Sequence, residues 1–72
     1  MARFSLVGVD RNAFAIMGYT ASCLRHAGLR DKVDEMRMKA MSGDYWNLIA
    51  VCDEYVEMAN EALGAEDEEN DD

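Results

Sequence analysis

The sequence predicts a mainly α fold: a small three-helix domain with a short N-terminal extended arm or strand and a disordered acidic C-terminal tail. Apolar residues recur at the helical period in three segments. Most of these segments have a capping side chain in front and a glycine behind. The chain of 72 residues is half apolar and lacks proline, which suits one folded domain and argues against a disordered chain. A domain this small buries only about 60% of its unfolded surface and is marginal alone. That size leaves little room for a self-contained enzyme with a deep cleft, and no enzymatic activity is expected.

The elements follow in order. Residues 4–9, Phe-Ser-Leu-Val-Gly-Val, read as a short strand with Phe4 and Leu6 on one side and Ser5, Val7 and Val9 on the other. No second strand candidate follows, so the arm either pairs in trans with another copy or lies extended on the helices. The first helix is expected over 13–27, capped by Asn12 or Asp10 and ended by Gly28. Its apolar face holds Ala13, Ile16, Met17, Thr20, Leu24 and Ala27. The second is expected over 32–42, with Asp31 as cap, Leu29, Val33, Met36 and Ala40 on its apolar side, and Gly43 as stop. The third begins at Asp44 and closes at Gly64, with an apolar face of Tyr45, Leu48, Ile49, Cys52, Tyr55, Val56, Ala59 and Leu63. The domain therefore spans 1–64, and 65–72 form the tail.

Charge divides the chain. Residues 1–39 carry all seven basic side chains and a net +3, while residues 40–72 carry eleven acids, no base and a net −11. Six acids fall within 66–72, a segment with no apolar residue to bury. With no run of about 18 apolar residues, no membrane span or membrane partner is expected. The N-terminus lacks a long apolar stretch and a small-residue cleavage site, so a cytoplasmic protein is expected, in the host cytoplasm if phage-encoded.

Candidate chemistry is sparse. Cys23 and His26 share a helical side, with Cys52 as the only other thiol. A zinc site needs three or four converging ligands, whereas Cys52 belongs to an apolar face and His26 to a polar one. The cysteines read as small apolar residues, and no metal or cofactor is expected. A Cys23–Cys52 disulfide does not suit the cytoplasm, and Cys–His catalysis lacks an oxyanion site. Helices two and three could imitate a helix-turn-helix, but the third has no basic residue, so direct nucleic-acid binding is not expected.

One feature is left over. Asp53, Glu57 and Glu61 recur every four residues, about 6 Å apart along the axis. Glu54 widens the row and Trp46 heads it. An exposed tryptophan beside charge is a typical interface anchor. A rigid row of carboxylates can stand in for phosphates and dock on a basic, nucleic-acid-binding surface. The plainer alternative is a solvated helix face with Trp46 packed over Phe4 and Leu6. Met38 and Met41 need not both reach the core and can join a hydrophobic contact.

The segments Phe-Ser-Leu-Val-Gly-Val-Asp-x-Asn-Ala-Phe (4–14), Met-Gly-Tyr (17–19) and Met-Ser-Gly-Asp-Tyr (41–45) resemble small hypothetical proteins of bacteria and their phages or mobile elements. The resemblance covers residues 4–63. It implies a mobile-element context and carries over no activity, cofactor or site residue. Short acidic proteins in such genomes include inhibitors of host defence, some of them DNA mimics. The expected function is a non-enzymatic interaction module binding a basic surface of a nucleic-acid-binding host protein through Trp46, Asp53, Glu54, Glu57 and Glu61. It would be a DNA-mimic inhibitor of host defence such as CRISPR interference. The alternative is a small structural homodimer joined through the arm residues Phe4, Leu6, Val7 and Val9, without mimicry.

Overall fold

Asn12 opens the first helix, α1 (Ala13–His26): its side-chain oxygen accepts from the Phe14 N–H at 2.8 Å. The computed structural model describes the backbone of residues 4–71 and the side chains of residues 4–64. After α1 come a turn of 3-10 helix (Arg30–Lys32), a short α2 (Val33–Ala40) and a long α3 (Tyr45–Asp71), with no strand among the described residues. This is the three-helix domain the apolar periodicity predicts.

α1 ends in a Schellman motif. The Leu29 N–H reaches the Leu24 carbonyl at 2.7 Å and the Gly28 N–H reaches Arg25 at 3.1 Å, with Gly28 at φ +79°. Glycine adopts that left-handed backbone without a Cβ penalty. The same motif folds Leu29 back toward Leu24. The expected second helix then starts differently: Asp31 caps nothing, and a 3-10 turn closed by Lys32 N–H on the Leu29 carbonyl precedes α2. α2 begins at Val33 and ends at Ala40, shorter than expected at both ends.

The α2–α3 junction is tied by two side chains. Asp44 caps α3, its carboxylate accepting from the Asn47 N–H at 2.9 Å. The Asn47 amide turns back and donates to the Lys39 carbonyl at 3.0 Å, an acceptor at the α2 terminus that it shares with the Ser42 hydroxyl at 2.7 Å. Gly43 makes room for this: a Cβ there would lie 2.9 Å from the Asn47 Cβ.

The core is one cluster on the inner face of α3. Leu48, Cys52, Tyr55, Val56 and Ala59 meet Ile16, Met17, Ala21, Cys23 and Leu24 of α1 and Val33, Met36 and Ala40 of α2. Thr20 is buried among them with its hydroxyl bonded to the Ile16 carbonyl. Gly18, by contrast, faces open space and serves no close approach. Tyr55 crosses the core and its hydroxyl donates to the Glu35 carboxylate at the α2 surface. Lys39 sits over the Tyr55 ring, 5.6 Å from its centre.

The arm corrects the strand expectation. Residues 4–9 form an irregular strap closed by a turn, with the Val9 N–H on the Leu6 carbonyl at 3.1 Å and Gly8 at φ +87°. The turn breaks the strict alternation and brings Val9 to the same side as Phe4 and Leu6, against the core. Asn60, only 5% exposed, clamps the strap at both polar groups of one residue. Its oxygen accepts from the Phe4 N–H at 2.8 Å and its amide donates to the Phe4 carbonyl at 2.9 Å. The Phe4 ring lies edge-on to Tyr19 and His26. At the other end, α3 continues past Gly64, where a stop was expected. Gly64 lacks the positive φ of a terminating glycine, which among the described residues occurs only at Gly8 and Gly28. The expected tail, 65–72, lies outside the residues whose side chains are described.

Two outcomes follow. Asn60→Ala strands the Phe4 backbone groups and should cost about 1–3 kcal/mol in denaturant unfolding, with faster hydrogen exchange at the Phe4 amide. The hydrogen bond from Tyr55, helped by Lys32 and Lys39, holds the Glu35 carboxyl below its ordinary value of 4.5. A carboxyl lowered by folding adds stability above its unfolded value, and that stability is lost as pH falls through the folded value. Thermal melts from neutral pH into the acid range should therefore fall more steeply for the natural chain than for Tyr55→Phe.

Candidate functional site

α3 has two faces with opposite duties. Its inner face is consumed by the core, so the residues a half-turn away look outward. Asp53, Glu54, Glu57 and Glu61 are all exposed there. Trp46, in the first turn, is 71% exposed. It does not pack over Phe4 and Leu6; its ring lies edge-on to Tyr45 at 5.6 Å. The structure thus brings together the five residues singled out in the sequence on one side of one helix.

The row spans the open width of α3. Asp53 marks one edge, where it borders a cleft of about 300 Å³ beneath the arm, lined also by Leu6, Val9, Arg11, Ile16 and Ile49. Glu54 marks the other edge, toward α2. There it adds to the attraction that raises the Lys39 pKa, after the larger effects of Tyr55 and Glu35. Among the described residues the ion pairs join Glu35 to Lys32 and Lys39, and none reaches the row. Its carboxylates are therefore not neutralised by close partners within the described fold.

The arm residues proposed for self-association sit otherwise than strand pairing requires. Phe4, Leu6 and Val9 are packed on the core, and only Val7, 89% exposed, stands clear. Four of the six N–H groups of residues 4–9 are engaged within the chain: Phe4 with Asn60, Ser5 with the Tyr19 hydroxyl, Val7 with the Ser5 hydroxyl and Val9 with the Leu6 carbonyl. These bonds occupy part of the edge that a lone strand would have left open.

The thiols and the imidazole do not converge. Cys23 and Cys52 are free and buried, and burial raises both thiols above their ordinary range. His26 is exposed, with Phe4 edge-on to its ring. Among the described residues no three His, Cys, Asp or Glu side chains are grouped to hold a metal. No helix among them is long and apolar enough to cross a membrane.

Met38 and Met41 stand outside the core, as the sequence allowed, but the groove beside Met41 and the part Phe14 plays in it were not foreseen. Phe14 and Met41 are 75% and 64% exposed and flank an open groove of about 330 Å³. Tyr45 lines the same groove and touches Trp46, so groove and acidic row are joined through one aromatic pair. The available signal was the wheel position of Phe14, about 100° from Ala13 and off the apolar centre of α1. Comparisons with protein-family models, curated proteins and solved structures give no match.

The outward row carries no packing duty. Reversing two of its charges, Glu57→Lys with Glu61→Lys, should shift unfolding free energy by no more than about 0.5 kcal/mol, with unchanged helicity by circular dichroism.

Proposed function

We propose that this protein is a non-enzymatic interaction module whose outward α3 face binds the basic surface of a nucleic-acid-binding protein as a DNA mimic. The observation that carries the reading is the open face itself. From Trp46 to Glu61 it offers one aromatic anchor and four carboxylates with no described ion partner, on a segment devoid of basic residues. Asp53, Glu57 and Glu61 succeed one another at about 6 Å along a rigid axis, roughly the rise of two nucleotides. A rigid helix presents this charge without the ordering cost of a flexible tail. The resemblance to proteins of phages and mobile elements supplies a setting, inhibition of host defence, in which such mimicry is useful.

In this reading Trp46 contributes desolvated contact area and the carboxylates contribute steering and register. Attraction of this kind weakens with salt, because exposed charges are screened beyond about 8 Å at physiological ionic strength. The test is capture from nuclease-treated host lysate, eluted with rising salt. The natural chain should retain nucleic-acid-binding proteins that leave at moderate salt, and the Glu57→Lys/Glu61→Lys chain should retain none of them. The same proteins captured by both chains would overturn the proposal.

A further inference from the structure

The groove between α1 and the α2–α3 turn opens at the first turn of α3, where Tyr45 touches Trp46 at the head of the acidic row. Its apolar walls are Phe14, Met17, Ala40, Met41 and Leu48, and its polar members are Tyr45 and the acidic Asp44. The Tyr45 hydroxyl is already committed to the Arg11 carbonyl at 2.6 Å. Phe14 and Met41 stand mostly in solvent, although neither is needed to close the core. With Trp46, three of the five large exposed hydrophobic side chains among the described residues adjoin the groove or touch its lining. A clustered apolar surface on so small a domain marks a contact site.

The charge beside the groove decides what it takes. A second copy docking on the groove would bring together two chains of net charge −8 and, in an isologous contact, two grooves that each hold Asp44. Anionic lipid would be repelled by the same charge. A basic partner is attracted by it.

We infer that the groove seats an apolar side chain of an amphipathic basic helix, whose lysines or arginines then lie along Asp53, Glu54 and Glu57. This rests on the acidic-face reading above and adds to it the partner's chemistry: an apolar anchor flanked by positive charge. Met17 and Met41 suit such a seat, because unbranched thioether chains adapt to differently shaped anchors.

Trp46 is the sole tryptophan and reports directly on the site. Its emission is followed while the full chain is titrated with a synthetic amphipathic helix of leucine and lysine, and with a lysine-only peptide. The leucine–lysine helix should shift Trp46 emission to the blue, and the lysine-only peptide should bind at least about tenfold more weakly. Phe14→Ser with Met41→Ser should weaken the leucine–lysine helix by about tenfold and leave the lysine-only peptide unaffected. Both positions are exposed, and circular dichroism verifies that this variant keeps its helicity.

Equal affinity of the natural and Phe14→Ser/Met41→Ser chains for the leucine–lysine helix overturns the groove inference and leaves the acidic-face reading standing. Undiminished binding by Glu57→Lys/Glu61→Lys, with loss in the groove variant, overturns the basic part of the inference and the acidic-face reading with it. A natural chain that sediments as a dimer, and becomes a monomer on Phe14→Ser/Met41→Ser, makes a second copy the occupant and also overturns the inference.

Discussion

The inner face of α3 is the constraint on which everything else in this domain depends. α1 has 14 residues and α2 only 8, lengths at which isolated helices are marginal in water. The arm has no sheet to join. Each of these pieces is held by the row Leu48, Cys52, Tyr55, Val56 and Ala59, or by a polar hook from α3 such as Asn60. Tyr55 shows how tightly the duties are combined. Its ring fills the core and supports Lys39, while its hydroxyl fixes Glu35 on α2. With one face of α3 so occupied, the opposite face is the surface on which the sequence can vary without unpacking the domain.

A core this small is completed by amide side chains rather than by crosslinks. Asn12 supplies the acceptor for the start of α1, Asn47 supplies the donor for the end of α2, and Asn60 supplies both for the arm. Each bonds backbone groups at a location where regular hydrogen bonding runs out, Asn47 sharing the Lys39 carbonyl with Ser42. Asn47 also shows why the junction contains Gly43: the amide folds into the space a side chain would fill. Cys23 and Cys52 belong to the same economy as small buried side chains, not as a bridge.

What could be read from the sequence depended on whether local and tertiary signals agreed. For α1 they did: Asn12 and Gly28 have the chemistry of a cap and a left-handed terminus, and the apolar period runs between them. Asp44 and the inner face of α3 were legible for the same reason. The outward acidic row follows from that face by subtraction. Asp31 misled because Leu29, drawn back by the Schellman motif, starts the next turn in 3-10 geometry that leaves no place for a side-chain cap. Gly64 misled because a glycine ends a helix only when the chain turns left-handed there. The arm was half legible: Phe4 and Leu6 face the core as alternation requires, but the Gly8 turn returns Val9 to that side. The groove was not legible, since it is formed by Phe14 and Met41 from separate helical ends that only the fold brings near each other.

The distribution of large apolar residues carries the last step. The core is filled by Met36, Cys52, Ala59 and their neighbours, while Phe14, Met41 and the sole tryptophan remain largely in solvent. Burying any of the three inside would have added to stability, by roughly 1.5–3 kcal/mol for a large apolar side chain. Left outside, they promote association and tend to lower solubility. The net charge of −8 opposes that tendency by keeping copies apart. The acidity of the chain and its exposed aromatic end are thus two parts of one arrangement. In the proposed reading, the charge that would draw a basic partner is also the charge that allows a small domain to hold its largest exposed side chains in water.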